Sequence, residues 1–191
     1  MLLTKLIFVA LLCVSTFYAT SFAQSPREQL NQLVTQLQAS PGDTTLRERI
    51  IILAREIKPP PAVPEEARRH FVEGTAIAKS AQNAPQQALA VQSFQEALRI
   101  APWWSDAWYN LAVAQELAGQ FDLAQESPRL YILSNPGEKA AREAQDRIYA
   151  INAKKRLAVV AQNSPEAAED RERKFLEGLE GAIFTGDPNP V

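Results

Sequence analysis

Three features of the sequence predict an all-α fold. Apolar residues recur at helical spacing in one segment after another, glycine is scarce at 7 of 191 residues, and β-branched runs are few while Ala and Gln abound. Prolines punctuate the pattern, at Pro26, Pro41, Pro136 and Pro165 among others, where one apolar stripe ends or the next begins. Hydrophobic content of 46% beside 22% charged residues is ordinary for a folded chain and argues against wholesale disorder. The formal net charge of −2 offers no basic surface for nucleic acid.

Residues 1–23 read as a signal peptide. Lys5 supplies the positive start, Leu6 to Tyr18 an apolar run, and Ser21-Phe22-Ala23 the small residues that a signal peptidase recognises. The run falls short of the ~20 residues that a spanning helix needs, so cleavage is expected in place of anchoring, with no stable membrane insertion afterwards. Cleavage after Ala23 would remove Cys13, the single cysteine, and leave a periplasmic or secreted protein held by packing alone. No N-x-S/T acceptor is present, which fits a bacterial periplasm.

Ser25-Pro26-Arg27-Glu28 has the hydroxyl cap, the proline at the first helical position and the glutamate three residues on that open a helix. Its stripe is Leu30, Leu33, Val34 and Leu37, and Asp43 caps a second helix with Leu46, Ile50, Leu53 and Ile57 inward. These make an N-terminal helix pair over 24–58. A proline-rich spacer, 59–64, follows; such a segment is extended and stiff, and reads as a rigid spacer before a ligand for an aromatic groove. Helices are then expected from Glu65 to about Gln82 and from Gln86 to Ile100, the second with Leu89, Phe94, Ala97 and Leu98 inward. Gly74 and Ala78 are the small positions that let the neighbouring helix approach. Ser105 to Ala118 and Phe121 to Leu133 complete the central region, 65–136. Pro128 falls inside the last of these, and a mid-helix proline costs ~3 kcal/mol unless the helix kinks, so a kink or early break is expected near Glu126.

Asn135-Pro136-Gly137-Glu138 predicts another helix start, with Asn135 as cap. The helix that follows, within 137–163, has Ala141, Ala144, Ile148 and Ile151 as its stripe, with Leu157 and Val160 continuing it. Its many charges suit a capping helix whose outer face meets water. A C-terminal helix begins at Ser164-Pro165, carries Phe175, Leu176, Leu179 and Ile183, and gives way to a frayed tail from Asp187, within 164–191.

Within the central region, Pro102 and Pro136 lie 34 residues apart and each closes an apolar helical pattern. Between them stand Trp108-x-x-Leu111-Ala112, Gly119-x-Phe121 and Ala124; before the first come Ala90-x-x-x-Phe94-x-x-Ala97-Leu98. This arrangement resembles the tetratricopeptide repeat, a helix-turn-helix unit of that period. Gln115 stands where the family prefers an aromatic residue, and Pro128 where Phe is usual. The resemblance implies a short right-handed α-α superhelix of about six or seven helices, in which Trp108 packs between the two helices of its repeat. It also implies a concave groove lined by the first helix of each pair. Mapped onto this chain, the groove would present Arg68, Phe71, Thr75 and Lys79, then Asp106, Tyr109, Asn110 and Val113, with Glu143 and Arg147 from the capping helix.

Catalysis has little material. His70 is the lone histidine, no spacing suggests a metal or cofactor site, and no glycine-rich phosphate loop occurs. Asn110 alone does not make the carboxylate clamp that some family members use, because the matching Lys and Arg positions are not filled. The expectation is therefore a non-catalytic scaffold or adaptor without a cofactor, holding a protein or peptide partner. The alternative is a structural, homo-oligomeric component that self-associates through the aromatic turn at Trp103-Trp104 or through the C-terminal helix.

Overall fold

Ser25 caps helix α1 (Pro26–Ala39) as the sequence predicts: its hydroxyl accepts from the Glu28 amide and the Glu28 carboxylate accepts from the Ser25 amide. The computed structural model describes residues 24–185, so the expected signal peptide and frayed tail lie outside the described residues. Asp43 caps α2 (Thr44–Glu56) through the Leu46 amide. The chain continues through α3 (Glu65–Ser80), α4 (Ala84–Ile100), α5 (Ser105–Leu117), the single turn α6 (Phe121–Ala124), α7 (Glu126–Leu133), α8 (Glu138–Gln162) and α9 (Pro165–Thr185). All regular structure among the described residues is helical. Among the described residues eight helices reach two turns or more, one above the upper expectation.

Successive helices α3, α4, α5 and α7 pack each on the next, and α8 covers α6 and α7. The short connections within the central region force antiparallel neighbours, so the apolar stripes of α3, α4, α5 and α7 face one another. Phe94 lies at the centre, 1% exposed, in one cluster with Ala90, Val91, Leu98, Trp108, Leu111 and Leu130. Gly74 makes this possible. A Cβ there would stand 2.9 Å from the Phe94 ring, closer than side-chain carbons approach, so α3 can lie against the ring only with no side chain at that position. Trp108 is buried too, and its indole N–H donates to the Pro102 carbonyl at 2.8 Å. The polar end of the ring is thereby satisfied inside the core.

The connection after α5 closes with Gly119 at φ 72°, where the Gln120 amide reaches the Gln115 carbonyl at 2.8 Å and the Gly119 amide reaches that of Glu116 at 3.1 Å. That pair of bonds is the helix stop that glycine favours. The helical path then breaks at Gln125, one residue from the expected position, leaving α6 and α7 on either side. Three residues into α7, Pro128 is fully buried, where its missing N–H falls in the first turn and costs nothing. Beside it, the Ser127 hydroxyl donates to the Gln115 amide oxygen at 2.7 Å, both residues buried.

The N-terminal pair has its own core of Leu30, Leu33, Val34, Leu37, Leu46, Ile50, Ala54 and Ile57. It docks against α4 and α7, the second helices of the central region. Arg47 pairs with Glu126 at 3.0 Å, Arg55 donates to the Leu133 carbonyl at 2.9 Å, and Ile51 enters the central cluster.

Several expectations need correction. Leu89 is exposed; Ala90 and Val91 take its inward place, because helical geometry puts them and not Leu89 on the face that holds Phe94 and Leu98. Leu53 is only half-buried, with Ile51 and Ala54 completing the inward face of α2. The helix after Pro136 starts at Glu138 with Gly137 as its cap residue; Asn135 (φ 59°) and Gly137 (φ 98°) both turn left-handed, so Asn135 makes the bend in place of the cap. Leu157 and Val160 do not continue a buried stripe but face outward, beyond Lys155, which pairs with Asp122 of the short α6.

Two variants probe this packing. Gly74→Ala gains helix propensity of ~1 kcal/mol but must displace the buried Phe94 ring, so net destabilisation of about 1–2 kcal/mol is expected in urea unfolding. Ser127→Ala leaves the buried Gln115 oxygen without a donor and should cost about 1–2 kcal/mol. Combining it with Gln115→Leu should recover much of that loss, which a double-mutant cycle reads directly.

Candidate functional site

The residues that the sequence assigns to a groove fall into two groups. Phe71 packs tilted against Phe94 at 5.7 Å and against Trp104 at 4.4 Å between ring centroids, so it forms the rim of the core as well as surface. Thr75, one turn on, donates its hydroxyl to the Phe71 carbonyl at 2.8 Å. Arg68 is exposed and pairs with Glu65 at 3.1 Å, and Lys79 is exposed in the last turn of α3.

The second group is more closely knit. Tyr109 on α5 lies 5.3 Å from Tyr131 on α7, and the Arg147 guanidinium on α8 sits 5.5 Å from the centre of the Tyr109 ring. Three helices thus bring an aromatic pair and a cation to one half-exposed patch. Val113, one turn along α5 from Tyr109, is half-buried. Asn110 donates its amide to the Asp106 carbonyl at 2.8 Å, within its own helix. Burial raises the Tyr131 phenol above its ordinary pKa, and the charges of Asp106 and Glu143 and the neighbouring Tyr109 push the same way. The patch therefore has an aromatic floor, one cation and an acidic fringe.

Glu116 anchors the patch from beneath. Its side chain is 9% exposed and receives Arg147 at 2.6 Å and Lys154 at 2.5 Å. Burial alone would raise its pKa; the hydrogen bonds and charges of Lys154 and Arg147 together outweigh that and hold the carboxyl below its ordinary value. Lys155 pairs with Asp122 one helix away, so α8 is fastened to α5 and α6 by ion pairs. Arg147 does two jobs. One end of its guanidinium is held by Glu116, and its face is turned to Tyr109.

Tyr131, Trp104 and Glu116 are absent from the sequence-derived groove. Tyr131 and Glu116 sit on helix positions that period alone assigns to no groove, and Trp104 belongs to a turn. The aromatic turn is taken up internally: Trp104 stacks on Phe71 and Trp103 packs against the core of the N-terminal pair. His70 lies 3.6 Å from Glu73 on the same helix and is half-buried. Among the described residues no cluster of three His, Cys, Asp or Glu side chains could hold a metal ion, and no helix is long and apolar enough to cross a membrane. Comparison of the chain with family models, with curated proteins and with solved structures finds no match.

The lowered Glu116 pKa makes a signed prediction. Its carboxyl holds a proton less readily in the folded chain than in the unfolded one. The stability it contributes is complete above the ordinary carboxylate pKa, ~4.3, and is lost as pH falls through the lower folded value. Glu116→Gln should cost about 1–2 kcal/mol at pH 7. The gap between variant and wild type should narrow in thermal unfolding below pH 4.

Proposed function

We propose that this chain is a non-catalytic adaptor of the tetratricopeptide type, exported to the cell envelope of a bacterium, which holds a peptide or partner helix on the exposed faces of α3, α5 and α8. Support for the repeat reading comes from the 34-residue spacing of Pro102 and Pro136, from the shared interior of Phe94, Trp108 and Leu111, and from the burial of Ala97, each 6% exposed or less. The leader-like residues 1–23 support export.

The observation that carries the binding reading is the Tyr109–Tyr131–Arg147 patch. Tyr and Arg dominate interface hot spots because each presents a large contact area and a directed polar group at low entropic cost. Here the three side chains are already ordered by one another and by Glu116, so a ligand would find them arranged in advance. An extended or helical segment with an apolar residue for the two tyrosines and a carboxylate near Arg147 suits this surface.

A photo-crosslinking residue at Val113 should capture a discrete set of envelope proteins. Tyr109→Ala should weaken capture roughly thirtyfold, the loss expected for a hot-spot residue worth ~2 kcal/mol. An unchanged captured set, in a variant whose circular dichroism matches wild type, would remove the patch from the binding reading.

A further inference from the structure

The N-terminal pair and the central region leave a cleft of about 480 Å³ between them, within the roughly 300–1,000 Å³ that small ligands occupy. Its walls are the end of α2, the proline-rich spacer, the turn at Trp103 and the turn at Ser134 and Asn135. Hydrogen bonds and packing hold these walls. Arg27 on α1 donates to the Pro59 carbonyl at 2.8 Å, which ties the spacer to the N-terminal pair, and Arg55 reaches across to the Leu133 carbonyl at 2.9 Å. The Trp103 ring packs on the N-terminal core. None of Tyr109, Tyr131 and Arg147 lines the cleft, so it stands apart from the binding patch proposed above.

The lining has two kinds of chemistry. Ile52, Pro60, Pro61 and the Trp103 ring offer apolar surface, and Ile52 is 43% exposed. Arg55 and Lys58 are exposed cations at the end of α2, and neither takes part in an ion pair among the described residues. Glu56 is the acid between them in sequence, equally without an ion-pair partner there, so the three side chains leave one net positive charge. The Arg55 guanidinium gives one nitrogen to the Leu133 carbonyl and keeps the rest of its fork for another acceptor. Trp103 adds a further signal: its indole N–H is the one buried side-chain donor without an acceptor among the described residues. Apolar surface beside cations and an unmet donor is the complement of an organic acid. We propose that this cleft binds a small organic carboxylate, with its apolar body against Ile52, Pro61 and Trp103 and its carboxylate on Arg55 and Lys58. A free acid and the carboxy terminus of a peptide share that chemistry.

Heteronuclear NMR titration of the purified chain uses phenylbutyrate and a tripeptide ending in phenylalanine, each as the acid and as its amide. At least one acid should bind with a dissociation constant of ~0.1–1 mM and move the Trp103 indole resonance, assigned through Trp103→Phe. Tighter binding of phenylbutyrate identifies a free acid, and tighter binding of the tripeptide identifies a peptide terminus. The matching amide should bind at least ~fivefold more weakly, because it brings no charge to the two cations. Lys58→Gln should weaken binding about threefold and Arg55→Gln about tenfold, while Glu56→Gln strengthens it about twofold. Arg49→Gln, on the same helix but outside the cleft, should leave it unchanged. Thermal melts show whether Arg55→Gln, which also releases the Leu133 carbonyl, stays folded; Lys58→Gln and Glu56→Gln, both at exposed positions, carry the test in either case. Saturation by neither acid up to ~10 mM, equal binding of acid and amide, or binding that leaves Trp103 unmoved would each overturn the proposal.

Discussion

The contact between the Phe94 ring and the bare backbone of Gly74 is the constraint from which the central architecture follows. A ring this size can be fully buried between two helices only if one of them gives up its side chain, and α3 does so at a single position. Phe94 then touches Phe71, Phe71 stacks on Trp104, and Trp104 introduces α5. Aromatic contact thus runs from the first central helix into the next, and sets where Trp108 enters the interior and where Tyr109 faces outward.

Polar groups decide the second half of the fold. Gln115 and Ser127 spend their hydrogen bonds on each other at the point where α5 meets α7, and the buried Pro128 sets α7 off from α6. A proline inside one continuous helix would leave a carbonyl unsatisfied; the break at Gln125 moves it into a first turn, where no bond is lost. Glu116 repeats the pattern nearer the surface. A largely buried carboxylate with two cations fixes the position of α8 and, through Arg147, the shape of the Tyr109 patch. Structural and candidate binding roles therefore share the same arginine.

The N-terminal pair shows how an independent core can be joined to another without merging with it. Its leucines and isoleucines satisfy each other, and the junction is made by Ile51, by Trp103, and by arginines reaching across. Arg47 pairs with Glu126 while lying 5.8 Å from the centre of the Trp108 ring, so its charge and its planar face are both used. The docking side, against α4 and α7, leaves the outward faces of α3 and α5 uncovered by this pair.

Much of this was legible in the sequence, and for local reasons. Caps at Ser25 and Asp43, the small residue at Gly74, the break ahead of Pro128 and the inward set of Phe94, Ala97, Trp108 and Leu111 depend on groups within a few residues of one another, or on helical period. Leu89 is inward by apolarity alone, but helical period places it on a different face of α4 from Phe94 and Leu98, which Ala90 and Val91 share. The Tyr109–Tyr131–Arg147 patch joins residues up to 38 positions apart on three helices, and no local pattern encodes the angle between helices that brings them together. Local chemistry determined which segments are helices and which faces are apolar. Only tertiary packing decided which of those faces would be covered, because that depends on where one helix ends relative to the next: α6 and α7 stop short, and Leu157 and Val160 near the end of α8 and Phe175 and Leu176 on α9 are left exposed.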